Sequence, residues 1–291
     1  MTIVLHPLTQ LAVQEYISRP AQALLITGPG GSGKASLAWH IVAEILQINR
    51  STPGSEPTHP YLRTIRPEAG KSIPIETIRE LQHFLNLSIP GSRPDSIARI
   101  ALIEDAHHLT PEAQNALLKT LEEPPADTVI ILTATGMDAV LPTIQSRVRQ
   151  LTVLPPPTDT LIPHFESLGY SADEITRALM LGGELPGLAS ALLAQDTEHS
   201  LVAATTHARG ILQSKTYERL LLVDGLSKQK QLCLDVLFVL GQMSRMALKR
   251  SADTKAAARW QRVLRATYNA TEQLQHNTQT KLVLTNLMLE L

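Results

Sequence analysis

The stretch from Ile97 to Pro125, IARIALIEDAHHLTPEAQNALLKTLEEPP, constrains the fold more than any other part of the chain. An apolar run, Ile97 to Ile103, ends in two adjacent carboxylates, Glu104 and Asp105. A polar turn through Thr110 and Pro111 then opens an amphipathic helix with Ala113, Ala116, Leu117, Thr120 and Leu121 on one face. A buried strand that delivers acids to its C-terminal edge is where an open α/β sheet places its ligand chemistry. Upstream lies a phosphate-loop pattern, Gly28-Pro29-Gly30-Gly31-Ser32-Gly33-Lys34. Together the two features predict a nucleotide-binding α/β domain.

The remaining pattern agrees. Helical periodicity covers Leu8 to Ile17, about Ala35 to Ile48, Ile75 to Leu87 and Pro111 to Glu123. Strand-like runs occupy Ala23 to Thr27, Tyr61 to Arg66, Ile97 to Ile103, Thr128 to Thr133 and about Val148 to Val153. A loop is expected from Arg50 to Pro60 and a turn from Pro90 to Asp95. Strands alternating with helices predict a mostly parallel sheet covered on both faces. Pro155-Pro156-Pro157 ends this pattern, because a proline run continues neither a helix nor a central strand. Helical segments are read beyond it at Ser171–Leu181, Leu185–Gln195, Glu198–Leu212, Tyr217–Leu226, Lys228–Lys249, Lys255–Gln275 and Thr280–Leu291. The expected domains are an α/β domain over residues 1–157, a small helical lid over 158–200 and a helical bundle over 201–291. A chain of 291 residues is long enough for two or three such units.

Composition narrows the function classes. The formal charge of −1 gives no bulk positive field for nucleic acid, and 3% aromatic residues give few stacking platforms. A single cysteine, Cys233, makes no internal disulfide and no multi-cysteine zinc site. The N-terminus has no basic segment followed by a long apolar run, and LCLDVLFVLG is short and carries Asp235. A cytoplasmic chain with no membrane partner is expected.

The glycine loop suits phosphate because its N–H groups converge at a helix N-terminus. Lys34 would add a charge on the terminal phosphates; a glycine-rich turn with no ligand is the alternative. The G-x-x-x-x-G-K-[ST] pattern next requires a hydroxyl for magnesium, and Ala35 has none. Ser36 is turned by about 100° along the helix and is a poor substitute. Phosphate-loop enzymes of this type usually end the acidic strand in Asp then Glu. Here Glu104 stands at the magnesium position and Asp105 at the water position, and together with Ala35 this predicts weak or absent hydrolysis. Arg147, after Ser146 in LPTIQSR, is either a solvated charge or an arginine finger reaching a neighbouring subunit's nucleotide. His107 and His108 have no spacing that matches a metal motif.

GPGGSGK, HPYLRTIRPEAGKSIPIETIREL, AHHLTPEAQNALLKTLEEPP and LPTIQSR together resemble the bacterial clamp-loader AAA+ family, and most closely its delta-prime branch. The resemblance is strong from Leu8 to Val153, and NTQTKLVLTNLMLEL is similar to the family's last helix. It implies an AAA+ module, a helical lid and a C-terminal collar that assembles a five-subunit ring. That ring opens a sliding clamp and places it on primed DNA, with gamma/tau-like and delta-like subunits as partners. The resemblance makes Arg147 the finger of a Ser-Arg-Cys motif, with Val148 in place of the Cys. Thr135 falls at the sensor-1 position, and Pro186 stands where the lid arginine is expected. ATP with magnesium is the implied cofactor, at Gly28, Pro29, Gly30, Gly31, Ser32, Gly33, Lys34 and Ala35. The family's four-cysteine zinc module is missing. The leading expectation is a non-motor stator. The alternatives are an active AAA+ motor subunit, which the intact GPGGSGK favours, and a binding protein unrelated to replication.

Overall fold

The apolar runs of the first half form one parallel sheet in the computed structural model, which describes residues 3–48, 59–68, 71–87, 89, 97–197, 199–251, 253–276 and 278–291. In chain order the elements are α1 (Pro7–Ser18), β1 (Ala23–Thr27), α2 (Lys34–Leu46), β2 (Leu62–Ile65), α3 (Ile75–Leu85), β3 (Arg99–Ile103), α4 (Pro111–Glu122), β4 (Thr128–Ala134), α5 (Pro142–Gln145) and β5 (Arg149–Thr152). The sheet order is β2-β3-β4-β1-β5, with every pairing parallel. The expected Pro90–Asp95 turn, and the Arg50–Pro60 loop before His59, lie outside the described residues.

Strands buried on both faces must be apolar at consecutive positions, and β1, β3 and β4 are buried throughout. Alternation then divides each strand between two cores. Leu24, Ile26, Ile100, Leu102, Val129 and Ile131 pack with Leu37, Ile41 and Val42 of α2. Leu25, Ala101, Ile103, Ile130 and Leu132 pack on the opposite face with Ile78 and Leu81 of α3 and Ala113 and Leu117 of α4. A buried arginine is tied into this unit. The Arg99 guanidinium donates to the carbonyls of Phe84, Leu85 and Leu87 at 3.1, 2.7 and 2.7 Å, and lies 3.3 Å from Asp127 Oδ2. It thereby closes the C-terminal end of α3, whose last carbonyls have no partner inside the helix.

The chain divides into two units, residues 1–156 and 157–291, at the proline run. The second contains α6 (Thr158–Ser167), α7 (Ala172–Gly182), α8 (Pro186–Leu193), α9 (Ser200–Gln213), α10 (Thr216–Ser227), α11 (Lys230–Arg250), α12 (Thr254–Gln275) and α13 (Thr280–Glu290). The first of these departs from the sequence reading, which has no helix before Ser171. Pro163 lies inside α6 and reads as a breaker, yet Leu161 and Phe165 bury one side of the helix. Leu185 and Leu188, expected in the lid, share one core with Leu201, Ile211, Val236, Leu240 and Leu287, expected in the bundle. The apolar run around Cys233 belongs to α11, which by length and composition alone would suffice to cross a bilayer. In this unit Cys233, Val236, Leu237, Val239 and Leu240 are core residues, and burial pushes the Cys233 thiol up to about 11.

Candidate functional site

The C-terminal ends of β1, β3 and β4 are neighbours in the sheet, so the segments that follow them meet at one edge. After β1 the chain turns through residues 28–33. Gly28 N–H donates to the Ala134 carbonyl at 3.2 Å, and Ser32 N–H to the Pro29 carbonyl at 3.2 Å. Gly31 and Gly33 have φ of 73° and 85°, a region that side chains with a Cβ seldom adopt. Gly33 is the N-cap of α2, so the orphan N–H groups of the first helical turn open toward the loop. A Cβ on Gly28 would lie 2.8 Å from Ser32 Oγ and 3.2 Å from Val153 Cβ. Ser32 Oγ itself is buried without a hydrogen-bond partner.

Lys34, the first residue of α2, is buried with Nζ 3.5 Å from Asp105 Oδ1. Asp105 comes off β3 with φ of 50°, and its N–H donates to Thr133 Oγ1 of β4 at 2.9 Å. The next turn brings His107 Nδ1 to 4.0 Å from Asp105 Oδ1. Burial, with His108 alongside, pushes the His107 imidazole down to about 4. Asp105 therefore faces the phosphate loop, where one cation already balances it.

Glu104 points elsewhere. Its Oε1 accepts from Trp39 Nε1 at 2.8 Å and from Arg66 Nη2 at 3.1 Å, with the side chain only 14% exposed. The acid at the expected magnesium position is thus bound to a guanidinium and an indole. Ala35 is exposed and offers no oxygen. The phosphate half of an ATP site fits these residues: a glycine turn, a helix N-terminus, a lysine and an orphaned buried hydroxyl. The magnesium half does not, because one ligand position lacks a donor and the other carries a competing cation.

Thr135, at the expected sensor position, is the first residue after β4 and is exposed. The β4 hydroxyl that reaches the acidic turn belongs to Thr133, which the sequence reading did not single out. Trp39 and Arg66 were missed too, because only the fold brings them to Glu104. Pro186 is at the N-terminus of α8, capped by Leu185. Arg147 follows α5, one residue before Val148 and β5, with its side chain 35% exposed. Its backbone N–H donates to the Ile144 carbonyl at 3.0 Å. Among the described residues, no group of three or more His, Cys, Asp or Glu side chains is arranged to hold a metal ion.

Residues 6–157 match the family described as DNA polymerase III, delta subunit. The chain belongs to this family. Its curated relatives include both delta' and gamma/tau subunits of DNA polymerase III. DNA polymerase III subunit delta' of Pseudomonas aeruginosa is 32% identical over 222 residues, 72% of this chain and 61% of that protein. The Escherichia coli subunit delta' is 36% identical over 143 residues, 48% of this chain and 41% of that protein. The chain thus matches between two fifths and two thirds of the length of these delta-subunit-family relatives. A solved structure of a DNA polymerase III gamma-subunit-related protein from Thermotoga maritima aligns over 97% of both chains. Its TM-score is 0.50 at 21% identity, which speaks for the fold alone. The AAA+ type of α/β fold expected for this family is the observed one.

Proposed function

We propose that this chain is a non-motor subunit of the DNA polymerase III clamp loader. In that reading it joins gamma/tau-like and delta-like subunits and offers Arg147 to the ATP of a neighbouring motor during sliding-clamp loading on primed DNA. The observation that carries it is Glu104. A carboxylate paired with Arg66 and hydrogen-bonded by Trp39 is poorly available to a divalent cation, and Ala35 supplies no hydroxyl. A chain so built can retain a phosphate-binding loop without turning ATP over. Arg147 lies outside that loop and is partly exposed, as a residue acting across a subunit boundary must be. A cation there would stabilise charge that grows only in the transition state, so its effect belongs in turnover more than in ATP affinity.

An active motor subunit is the second reading, favoured by the complete run from Gly28 to Lys34 with Lys34 facing Asp105. The purified chain decides between them: steady-state ATP turnover typical of an AAA+ motor would sink the non-motor reading. The finger is tested in the reconstituted clamp loader. Arg147→Ala should leave assembly intact and lower clamp-stimulated ATPase and clamp loading. Dedicated fingers in GTPase systems are worth on the order of a thousandfold; in a ring with several, one loss should be smaller. Arg147→Lys should rescue poorly, since an ammonium lacks the planar fork of donors. Unchanged rates with assembly confirmed would leave Arg147 a surface charge.

A further inference from the structure

The acids of the LEEPP segment have no role in the reading above, yet one of them meets Arg147. Helix α4 ends in Glu122, with Glu123 as its C-cap. Carboxylates are unfavourable at the negative end of a helix dipole, so this end calls for a cation. Arg147 supplies it. Its Nε donates to Glu122 Oε1 at 2.9 Å, and Nη2 lies 2.7 Å from the same oxygen. On the other side Nη1 donates to the Thr143 carbonyl at 2.9 Å and to Ser146 Oγ at 3.1 Å. All three nitrogens are engaged, which fixes the plane of the guanidinium.

The same helix holds the backbone that leads to Arg147. Gln114 of α4 accepts at Oε1 from Leu141 N–H at 2.9 Å, at the start of α5. Gln145 then ties the end of α5 back to the carbonyls of Met137 and Val140 at 2.8 and 2.9 Å. Helix α4 therefore sets both the turn and the side chain of this arginine.

We propose that Glu122 is the positioning residue of Arg147. Its carboxylate takes the Nε–Nη2 edge of the guanidinium and leaves the remaining Nη2 N–H for an incoming anion, the terminal phosphates of a neighbouring chain's nucleotide. The pair is half-exposed, at 35% and 49%, so it holds a rotamer without competing strongly against a multiply charged phosphate. The proposal rests on the finger reading and adds a second residue to it.

The test uses complete clamp loaders assembled with wild-type chain, Glu122→Gln, Arg147→Ala or both, measuring clamp-stimulated ATPase. Glu122→Gln keeps shape and removes charge; it should lower kcat, by up to about a hundredfold, with KM nearly unchanged, the scale of an ångström-sized misplacement of a reacting group. The double variant should be no slower than Arg147→Ala alone. Glu122→Asp should keep part of the rate. If Arg147→Ala slows turnover but Glu122→Gln does not, or raises it, the positioning role is overturned while the finger stands. If Glu122→Gln acts only through KM or lost assembly, Glu122 is merely structural and the proposal fails. If Arg147→Ala itself has no effect, the finger reading falls and takes the proposal with it.

Discussion

Glu104 and Asp105 are adjacent in sequence and opposite in circumstance. Asp105 faces Lys34, whereas Glu104 lies against Trp39 and Arg66. If only the metal contacts were altered, Ala35→Thr with Glu104→Asp and Asp105→Glu should give the purified chain measurable ATP hydrolysis above its own background. No gain would mean that Arg66 still occupies the position. His107 offers a test by pH. Its folded-state pKa, about 4, is depressed below an unfolded value near 6.5. The unfolded chain therefore binds the extra proton between those values. The stabilising contribution is present above about pH 6.5 and is lost as pH falls toward 4. Urea unfolding at pH 7 and pH 5 should show a larger loss of stability in wild type than in His107→Gln. An equal pH response in both would mean that the imidazole protonates normally in the folded state.

At the scale of elements, α3 depends on a residue from β3. Arg99 satisfies three carbonyls at the end of the helix and pairs with Asp127, with both side chains largely buried. Arg99→Met fills the space but leaves the carbonyls and the carboxylate without that donor. The expected cost is about 3 kcal/mol, the scale for breaking a buried pair from one side. A chemical-denaturation midpoint unchanged from wild type would contradict it. Helix α4 has a cap written locally: Thr110 Oγ1 accepts from Ala113 N–H at 3.2 Å, and Pro111 occupies the first turn. Its boundaries were readable for that reason. Helix α6 was not, because Pro163 is a local signal against a helix that the burial of Leu161 and Phe165 outweighs.

For the whole molecule, the two units have separate cores, all of one within residues 185–288 and the other two within 13–153. Residues 1–156 and 157–291 expressed apart should therefore each unfold cooperatively, as seen by circular dichroism. The first half without the second should not enter the clamp loader if the helical half makes the ring contacts. A first half that is molten alone, or that assembles at full affinity, would refute one or the other expectation. The sequence by itself determined the parallel sheet, the phosphate turn and the break at the prolines. Continuous apolar runs, glycines before a helix and consecutive prolines each restrict the backbone within a few residues. Only the tertiary structure decided what each acid does. Trp39 and Glu104 are 65 positions apart, Arg66 and Glu104 38, Asp105 and Thr133 28, and Glu122 and Arg147 25. No local periodicity encodes such pairs; the first three form where parallel strands end, and the last where α4 ends and β5 is about to begin.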